Sequence, residues 1–276
     1  MCEVWRHDWC GFYKKFYISQ WVSARHFFII WQLLKNMHVV SLYDKTGFSL
    51  QPWVNAGFKA FAYDIQNPDK CVQRNGVLYM KADLHDPTCL AMLEKKHAGQ
   101  VVFLSAFPVC TDLCIGGAVH WARKRDKDAE FQVRAASHVK ACADFAERIG
   151  CKTWYIENPR GMLGKLWKRA DCEINPCDYG GYLDENDEHP LYPKYIPGRD
   201  AYKKRTCIWH SPSFSMPIPK LVNPVEMVCK SIQKGEKIYS PVFAKLGGGG
   251  GQKTKDIRSA TPRGWSEAVY LANNMK

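Results

Sequence analysis

The most constraining stretch is Val101-Val102-Phe103-Leu104-Ser105-Ala106-Phe107-Pro108-Val109-Cys110. Four large apolar residues follow Gly99, and the run stops at Pro108, which predicts a strand covered on both faces, as in a parallel sheet sandwiched by helices. Cys110 then lies just past the strand's carboxyl end, the edge where open α/β sheets bind ligands. A second run, Trp154-Tyr155-Ile156-Glu157-Asn158-Pro159, repeats the pattern and ends in a carboxylate. If the two strands are neighbours, their ends bring a thiol and a carboxyl group into one crevice. A single cysteine is more often a small core hydrophobe than a nucleophile. The pairing with Glu157 is what points to chemistry.

The rest of the chain from Val39 has the same grammar. Val39–Tyr43 reads as a strand, Asp44-Lys45-Thr46-Gly47 as a turn, and Leu50–Ala56 as a helix stopped by Gly57. Phe58–Tyr63 is the next strand, followed by Asp64 and Ile65. Asp64 stands twenty residues after Asp44, the spacing at which Rossmann-like folds grip a ribose through its hydroxyls. Val77–Met80 is a third strand with Asp83 beyond it, and Thr88–Lys96 is a helix. Asp126–Ile149 reads as one long helix, because Phe131, Ala135, Val139, Cys142, Ala146 and Ile149 share a face and Gly150 closes it. Cys142 belongs to that apolar stripe.

Charge narrows the partners. With 39 Lys and Arg against 27 Asp and Glu, the chain carries +12, which favours a polyanion such as nucleic acid. The basic residues come in short groups, Arg123-Lys124-Arg125, Lys165 with Lys168-Arg169, Lys203-Lys204-Arg205 and Lys253 with Lys255, as on a folded face. Twelve irregularly spaced cysteines in a chain this long indicate reduced thiols and a cytoplasmic setting. No stretch reaches the roughly 18 apolar residues of a membrane span.

Residues 1–36 form an aromatic extension with net charge +3. They read as a helix packed on the domain surface or an interfacial anchor, with Met37 as an alternative natural start. Residues 170–250 are rich in Pro, Gly and Tyr, with one short strand at Thr206–Trp209, and read as a loop-rich insertion near the active face. Cys172-x4-Cys177 and Cys207-x2-His210 could supply four zinc ligands, but packing explains them as well, and no metal is expected. Gly247–Gly251 is expected to be a mobile connector. Thr261-Pro262 opens a last helix, Arg263–Asn273.

Taken together these motifs resemble the DNA cytosine-5 methyltransferases, especially the short phage-type members. Phe107-Pro108-Val109-Cys110-Thr111 resembles their Pro-Cys nucleophile motif, and Glu157-Asn158-Pro159-Arg160-Gly161 their Glu-Asn-Val/Pro motif. Asp44-Lys45-Thr46-Gly47 resembles the first S-adenosylmethionine motif. Ser259-Ala260-Thr261-Pro262-Arg263-Gly264 resembles the C-terminal motif that returns to the cofactor pocket. The departures are Pro108-Val109 for a doubled proline, Asp-x-Thr-Gly for Phe-x-Gly-x-Gly, and no Gln-x-Arg-x-Arg, for which Lys203-Lys204-Arg205-Thr206 is the nearest basic substitute.

The resemblance implies a Rossmann-like, S-adenosylmethionine-dependent α/β domain over 37–276, with 170–250 facing DNA. The implied catalytic group is Cys110, Glu157, Asn158, Pro108 and Arg205. The implied cofactor contacts are Asp44, Thr46, Gly47, Asp64, Ile65, Asp83, Ser105 and Thr261. A monomer acting on DNA in the cytoplasm of a bacterium or a phage-infected host is expected. A Cys110 thiolate adding to carbon 6 of a flipped cytosine would make carbon 5 nucleophilic, with Glu157 supplying a proton at ring nitrogen 3. Cys114, four residues on, is expected to be dispensable. The rivals are another cysteine-dependent pyrimidine modification and a catalytically silent nucleic-acid-binding protein.

Overall fold

The computed structural model describes residues 37–231, 235–246 and 251–274. The aromatic extension 1–36 and residues 247–250 of the glycine run lie outside the described residues. The body His38–Lys276 is one compact unit, built on a mixed, mostly parallel sheet. Its strands are β1 (His38–Leu42), β2 (Lys59–Asp64), β3 (Val72–Arg74), β4 (Val77–Lys81), β5 (Val101–Ala106), β6 (Trp154–Pro159), β7 (Cys172–Ile174) and β8 (Thr206–His210). They lie in the order β3-β4-β2-β1-β5-β6-β8-β7. β4, β2, β1, β5 and β6 run parallel, whereas β3 is antiparallel to β4, and β8 is antiparallel to both β6 and β7.

Alternate residues of each central strand feed opposite faces, so both faces must be covered. On one face Val39, Ala60, Ala62 and Phe103 pack with Trp53 of helix α1 (Gln51–Asn55) and with Trp265, Ala268 and Val269 of the C-terminal helix. Trp53 stacks on Phe103 with centroids 4.6 Å apart, and Trp265 meets Tyr155 edge-on at 5.6 Å. On the other face Val40, Leu42, Phe61 and Leu104 pack with Leu93 of α2 (Pro87–His97) and with Val139, Phe145 and Ala146 of the long central helix.

The expected helix over 126–149 is two helices, α3 (Trp121–Lys127) and α4 (Phe131–Arg148). Asp128 between them is extended at φ −161° and accepts the Glu130 N–H at 3.1 Å. An aspartate competes for backbone donors in this way, which favours a cap over a helix interior. The hairpin β3–β4 was unexpected, although Asn75-Gly76 signals it: both residues have positive φ, 47° and 79°, as a tight hairpin turn demands.

Residues 170–250 are also less separate than expected. β7 and β8 complete the main sheet because Ile174, Cys207 and Ile208 are apolar enough to be buried in it. Beyond them come an antiparallel hairpin, β9 (Met227–Ser231) with β10 (Gly235–Tyr239), and helices α6 (Pro241–Ala244), α7 (Gln252–Ser259) and α8 (Arg263–Asn273), with α5 (Leu163–Leu166) earlier in the chain. Among the described residues no helix is long and apolar enough to cross a membrane.

One buried polar chain makes the fold sensitive to acid. His38 Nε2 lies 2.6 Å from His97 Nδ1, and His97 Nε2 lies 2.7 Å from the Tyr63 hydroxyl. Burial, with His38 and Lys96 nearby, pushes His97 down to about 3. An unfolded histidine titrates near 6.5, so below that pH the unfolded chain binds a proton that the fold refuses. This contribution to stability is complete above about pH 6.5 and is lost as pH falls towards 3. The urea midpoint is expected to fall between pH 7 and pH 5 by the equivalent of about 2 kcal/mol. In His97→Gln that pH slope should flatten, and an unchanged slope would remove His97 as its source.

Candidate active site

The parallel strands reverse their order at β1. From β1 the chain builds outward through β2 and β4, then crosses to β5 on the other side. The crevice beyond the carboxyl ends of β1 and β5 is therefore the switch point at which such sheets bind ligands.

On the β5–β6 side, the loop carrying Cys110 is tied to the end of β6 that carries Glu157. Cys110 is half-buried, and both Glu157 at the end of β6 and Lys204 just before β8 act electrostatically on its thiol. Lys204 Nζ is 3.9 Å from Glu157 Oε1, and the two side chains are only 14% and 16% exposed. The cation brought to Glu157 is therefore Lys204 and not Arg205, whose side chain is 60% exposed and turns to Glu173 at 3.4 Å. Neighbouring residues along an extended approach point to opposite sides; the basic cluster Lys203–Arg205 could not settle which one faces the crevice.

Asn158 is fully buried and donates from Nδ2 to the Pro108 carbonyl at 2.9 Å, which ties the end of β6 to the loop carrying Cys110. Thr261 returns from the C-terminal region to line one small cleft with Phe107, Glu157, Thr206, Pro262 and Trp265.

The Cys110 loop is held by backbone. The Cys110 carbonyl accepts the N–H groups of Leu113 at 3.0 Å and Cys114 at 2.9 Å. Cys114 bridges to Gly161, Ile115 N–H reaches the Arg160 carbonyl at 3.1 Å, and Met162 N–H the Leu113 carbonyl at 2.9 Å. This turn brings Cys110 and Cys114 close enough for their thiols to bear on each other's ionisation. Cys114 and burial push Cys110 up. Cys110, with backbone N–H groups of the following turn, pulls Cys114 down. The C-x3-C spacing was the available signal for this pair.

On the β1 side the residues divide. Asp44 is buried and spends its carboxylate inside the fold, accepting from Thr46 N at 2.8 Å, Gly47 N at 2.7 Å, Ser41 Oγ at 2.8 Å and Ser49 Oγ at 3.0 Å. Ser105 is fully buried, with its hydroxyl 3.0 Å from those of Ser41 and Ser49. Both side chains were expected to touch a cofactor. In the structure both brace the turn, Asp44 by accepting from two backbone N–H groups and two hydroxyls. Thr46 Oγ1 also bonds Asp44, at 3.1 Å. Gly47 has φ 69°, and a Cβ there would run into the Tyr79 ring, whose hydroxyl donates to the Thr46 carbonyl at 2.8 Å. The turn can be this close only with glycine.

Asp64 ends β2. One of its oxygens accepts the Gln66 N–H at 2.7 Å, and burial raises its pKa. Ile65 beside it is 55% exposed. Asp83, exposed past β4, caps its own turn by accepting the His85 N–H at 3.0 Å. The zinc alternative has no convergence to support it: among the described residues no three His, Cys, Asp or Glu side chains are grouped to hold a metal. Cys172 and Cys207 lie on neighbouring strands, while His210 Nδ1 sits 2.8 Å from the Ser211 carbonyl.

No protein-family model and no curated protein matches the chain. Among solved structures, a prophage-encoded E. coli protein assigned as a DNA modification methyltransferase aligns at TM-score 0.39 and 12% identity, over 68% of this chain and 52% of that one. A double mutant of a Serratia marcescens short-chain dehydrogenase/reductase aligns at TM-score 0.29 and 14% identity, over 42% of this chain and 52% of that one. The chain thus spans about half the length of each, and neither score defines a shared fold.

Proposed function

We propose that the protein is an S-adenosylmethionine-dependent DNA cytosine-5 methyltransferase with a Rossmann-like catalytic domain. The observation that carries this reading is the bond from Asn158 of β6 to the Pro108 carbonyl, which ties the loop carrying Cys110 to the strand end where Glu157 pairs with Lys204, beside the switch point of the sheet. The order Pro-Cys then Glu-Asn-Pro supports it from the sequence.

The β1 side fits an adenosyl group. Asp64 offers a desolvated carboxylate to ribose hydroxyls, Ile65 an exposed apolar surface to a purine face, and the Asp44–Gly47 turn a close backbone approach. When bound, S-adenosylmethionine would supply an electrophilic methyl group. The protein's own residues do the rest. The Cys110 sulfur, as its thiolate, adds to carbon 6 of cytosine, Glu157 gives a proton to ring nitrogen 3, and the electron pair of the 5,6 double bond makes carbon 5 nucleophilic. After methyl transfer, loss of the carbon 5 proton restores the double bond and expels the sulfur, and the nitrogen 3 proton returns to Glu157. Lys204 holds the Glu157 carboxyl in place, and Asn158 holds Pro108 and so the thiol.

DNA as the partner rests on the net charge of +12 and on the segment after Cys114. There Arg123, Arg125 and Lys127 are exposed in α3, and Val119 before them is 84% exposed. Cations beside an apolar tip suit a distorted phosphate backbone.

Incubation with duplex DNA containing 5-fluorocytosine and the methyl donor should trap a covalent complex through Cys110, found by peptide mass. No adduct on any tested DNA, with no methylcytosine in DNA from expressing cells, would overturn the reading; methylation of free dCMP alone would move it to nucleotide modification. Asp64→Ala is expected to weaken S-adenosylmethionine binding at least about tenfold by calorimetry without unfolding, since a lost charged hydrogen bond costs about 1.5–3 kcal/mol. Unchanged affinity would take Asp64 out of the site.

A further inference from the structure

We propose that Asp187 and Asp200 are positioning residues for the reaction at Glu157: through Arg263 and Gly264 they set where Thr261 and Pro262 stand in the Glu157 cleft. The reaction itself rests on the proposed function, whereas the placing of Thr261 is carried by hydrogen-bond geometry. Arg263, the first residue of α8, grips the Asp187 carboxylate with both arms of its guanidinium, Nη1 to Oδ1 at 2.7 Å and Nη2 to Oδ2 at 2.6 Å. The two side chains are only 16% and 12% exposed. One residue on, the Gly264 N–H donates to Asp200 Oδ2 at 2.9 Å. A two-pronged pair of this kind fixes direction as well as distance. Both grips act on the first turn of α8, and so on the two residues just before it, Thr261 and Pro262. These line the cleft with Glu157, Phe107 and Thr206, where only about 10 Å³ is free, room for a single water.

The arrangement costs more than anchoring α8 requires. Trp265, Ala268 and Val269 already pack the helix on the sheet. At its far end Asn273 accepts the Ser215 N–H at 2.8 Å and donates to the Ser215 carbonyl at 3.0 Å. A buried ion pair adds little to such an anchor, since apolar packing often replaces one without loss. Yet the chain passes through two consecutive left-handed residues, Arg199 at φ 56° and Asp200 at φ 45°, a conformation unfavourable to any residue with a Cβ. The Arg199 N–H reaches Asp187 Oδ2 at 2.7 Å, which ties the two acids together. Asp200 is fully buried, and its Oδ1, 4.0 Å from Arg263 Nη2, accepts no hydrogen bond among the described residues.

Two buried carboxyl groups thus share one guanidinium. Neighbouring bases do not relieve them: Arg199 turns its Nε to the Gly180 carbonyl at 3.4 Å, and His189 accepts the Leu191 and Tyr192 N–H groups at Nδ1 and so stays uncharged. Strain of this kind persists where the surroundings hold a residue in one place, typically at functional sites. The place held here is a wall of the Glu157 cleft.

The test labels threonine methyl groups with carbon-13 in the full chain, without DNA or methyl donor, and follows the Thr261 resonance, assigned with Thr261→Ser. In Asp187→Asn, Asp200→Asn and Arg263→Lys the Thr261 methyl should shift or split while that of Thr88, on α2, stays in place. Asparagine keeps the shape of aspartate and lysine the charge of arginine, but neither rebuilds the fork. Methyl transfer into DNA then gives kcat and KM. The rate constant should fall about ten- to a hundredfold, as for a misplacement of about 1 Å, with KM for DNA and donor unchanged. A merely structural role would lower Tm and leave kcat per folded molecule as it was. A Thr261 methyl unmoved in all three variants, or moved with kcat unchanged, would overturn the proposal; if one variant misfolds, the other two decide. If the wild type methylates no DNA while Thr261 moves in the variants, the proposed function falls and the placing of Thr261 by Asp187 and Asp200 stands.

Discussion

On the proposed covalent mechanism, Cys110→Ser is expected to lose methyl transfer by at least about a thousandfold while keeping the affinities of the wild type for DNA and S-adenosylmethionine. A hydroxyl at this position is nearly isosteric with the thiol, but it ionises far less readily and is a much poorer nucleophile. Tritiated methyl incorporation into DNA gives the rate, and calorimetry gives the two affinities. A variant that keeps even a tenth of wild-type turnover would exclude a covalent Cys110 adduct. Loss of binding together with turnover would instead assign Cys110 to the architecture of the loop.

Gly161→Ala should produce the largest effect outside the reacting groups. The loop after β6 and the loop carrying Cys110 cross backbone to backbone here, and a Cβ at 161 would overlap the Leu113 carbonyl oxygen and crowd the Cys114 Cα. Neither neighbour is a flexible side-chain end, so the loops must part. Overpacking of this kind typically costs about 1–3 kcal/mol, and for a domain of this size each 1 kcal/mol lowers Tm by about 2–4 °C. Methylation should fall with it, because separating the loops moves Cys110 away from Glu157. Gly164→Ala is the control, since nothing lies within 4 Å of a Cβ built there and alanine favours the helix. Equal melting temperatures for the two variants would show that the crossing tolerates a side chain.

Much of the site was legible because strand ends are local. A parallel strand buried on both faces must be apolar throughout and must stop where polarity returns. The sequence alone therefore marked β1, β2, β4, β5 and β6, together with Asp44, Asp64, Cys110 and Glu157 at or just past their ends. It also located α8, because Thr261-Pro262 and the apolar face that follows are local signals. The single helix expected over 126–149 failed for the converse reason. The apolar stripe begins only at Phe131 and does not mark where the helix starts, and the backbone bond from Glu130 to the Asp128 carboxylate shows the break.

What the sequence could not decide is which way a side chain turns and what already occupies it. Lys204 and Arg205 are adjacent cations of the same sign, and only the extended approach to β8 directs the first to Glu157 and the second to Glu173. Asp44 and Ser105 carry ligand-binding chemistry in the sequence, yet Ser41 and Ser49, brought to them by the neighbouring strand and turn, occupy both. The sequence by itself determined the strand pattern and the order of reactive residues, because both depend on near neighbours along the chain. Only the tertiary structure decided which of those groups remain open, because hydrogen-bond satisfaction depends on partners from distant segments.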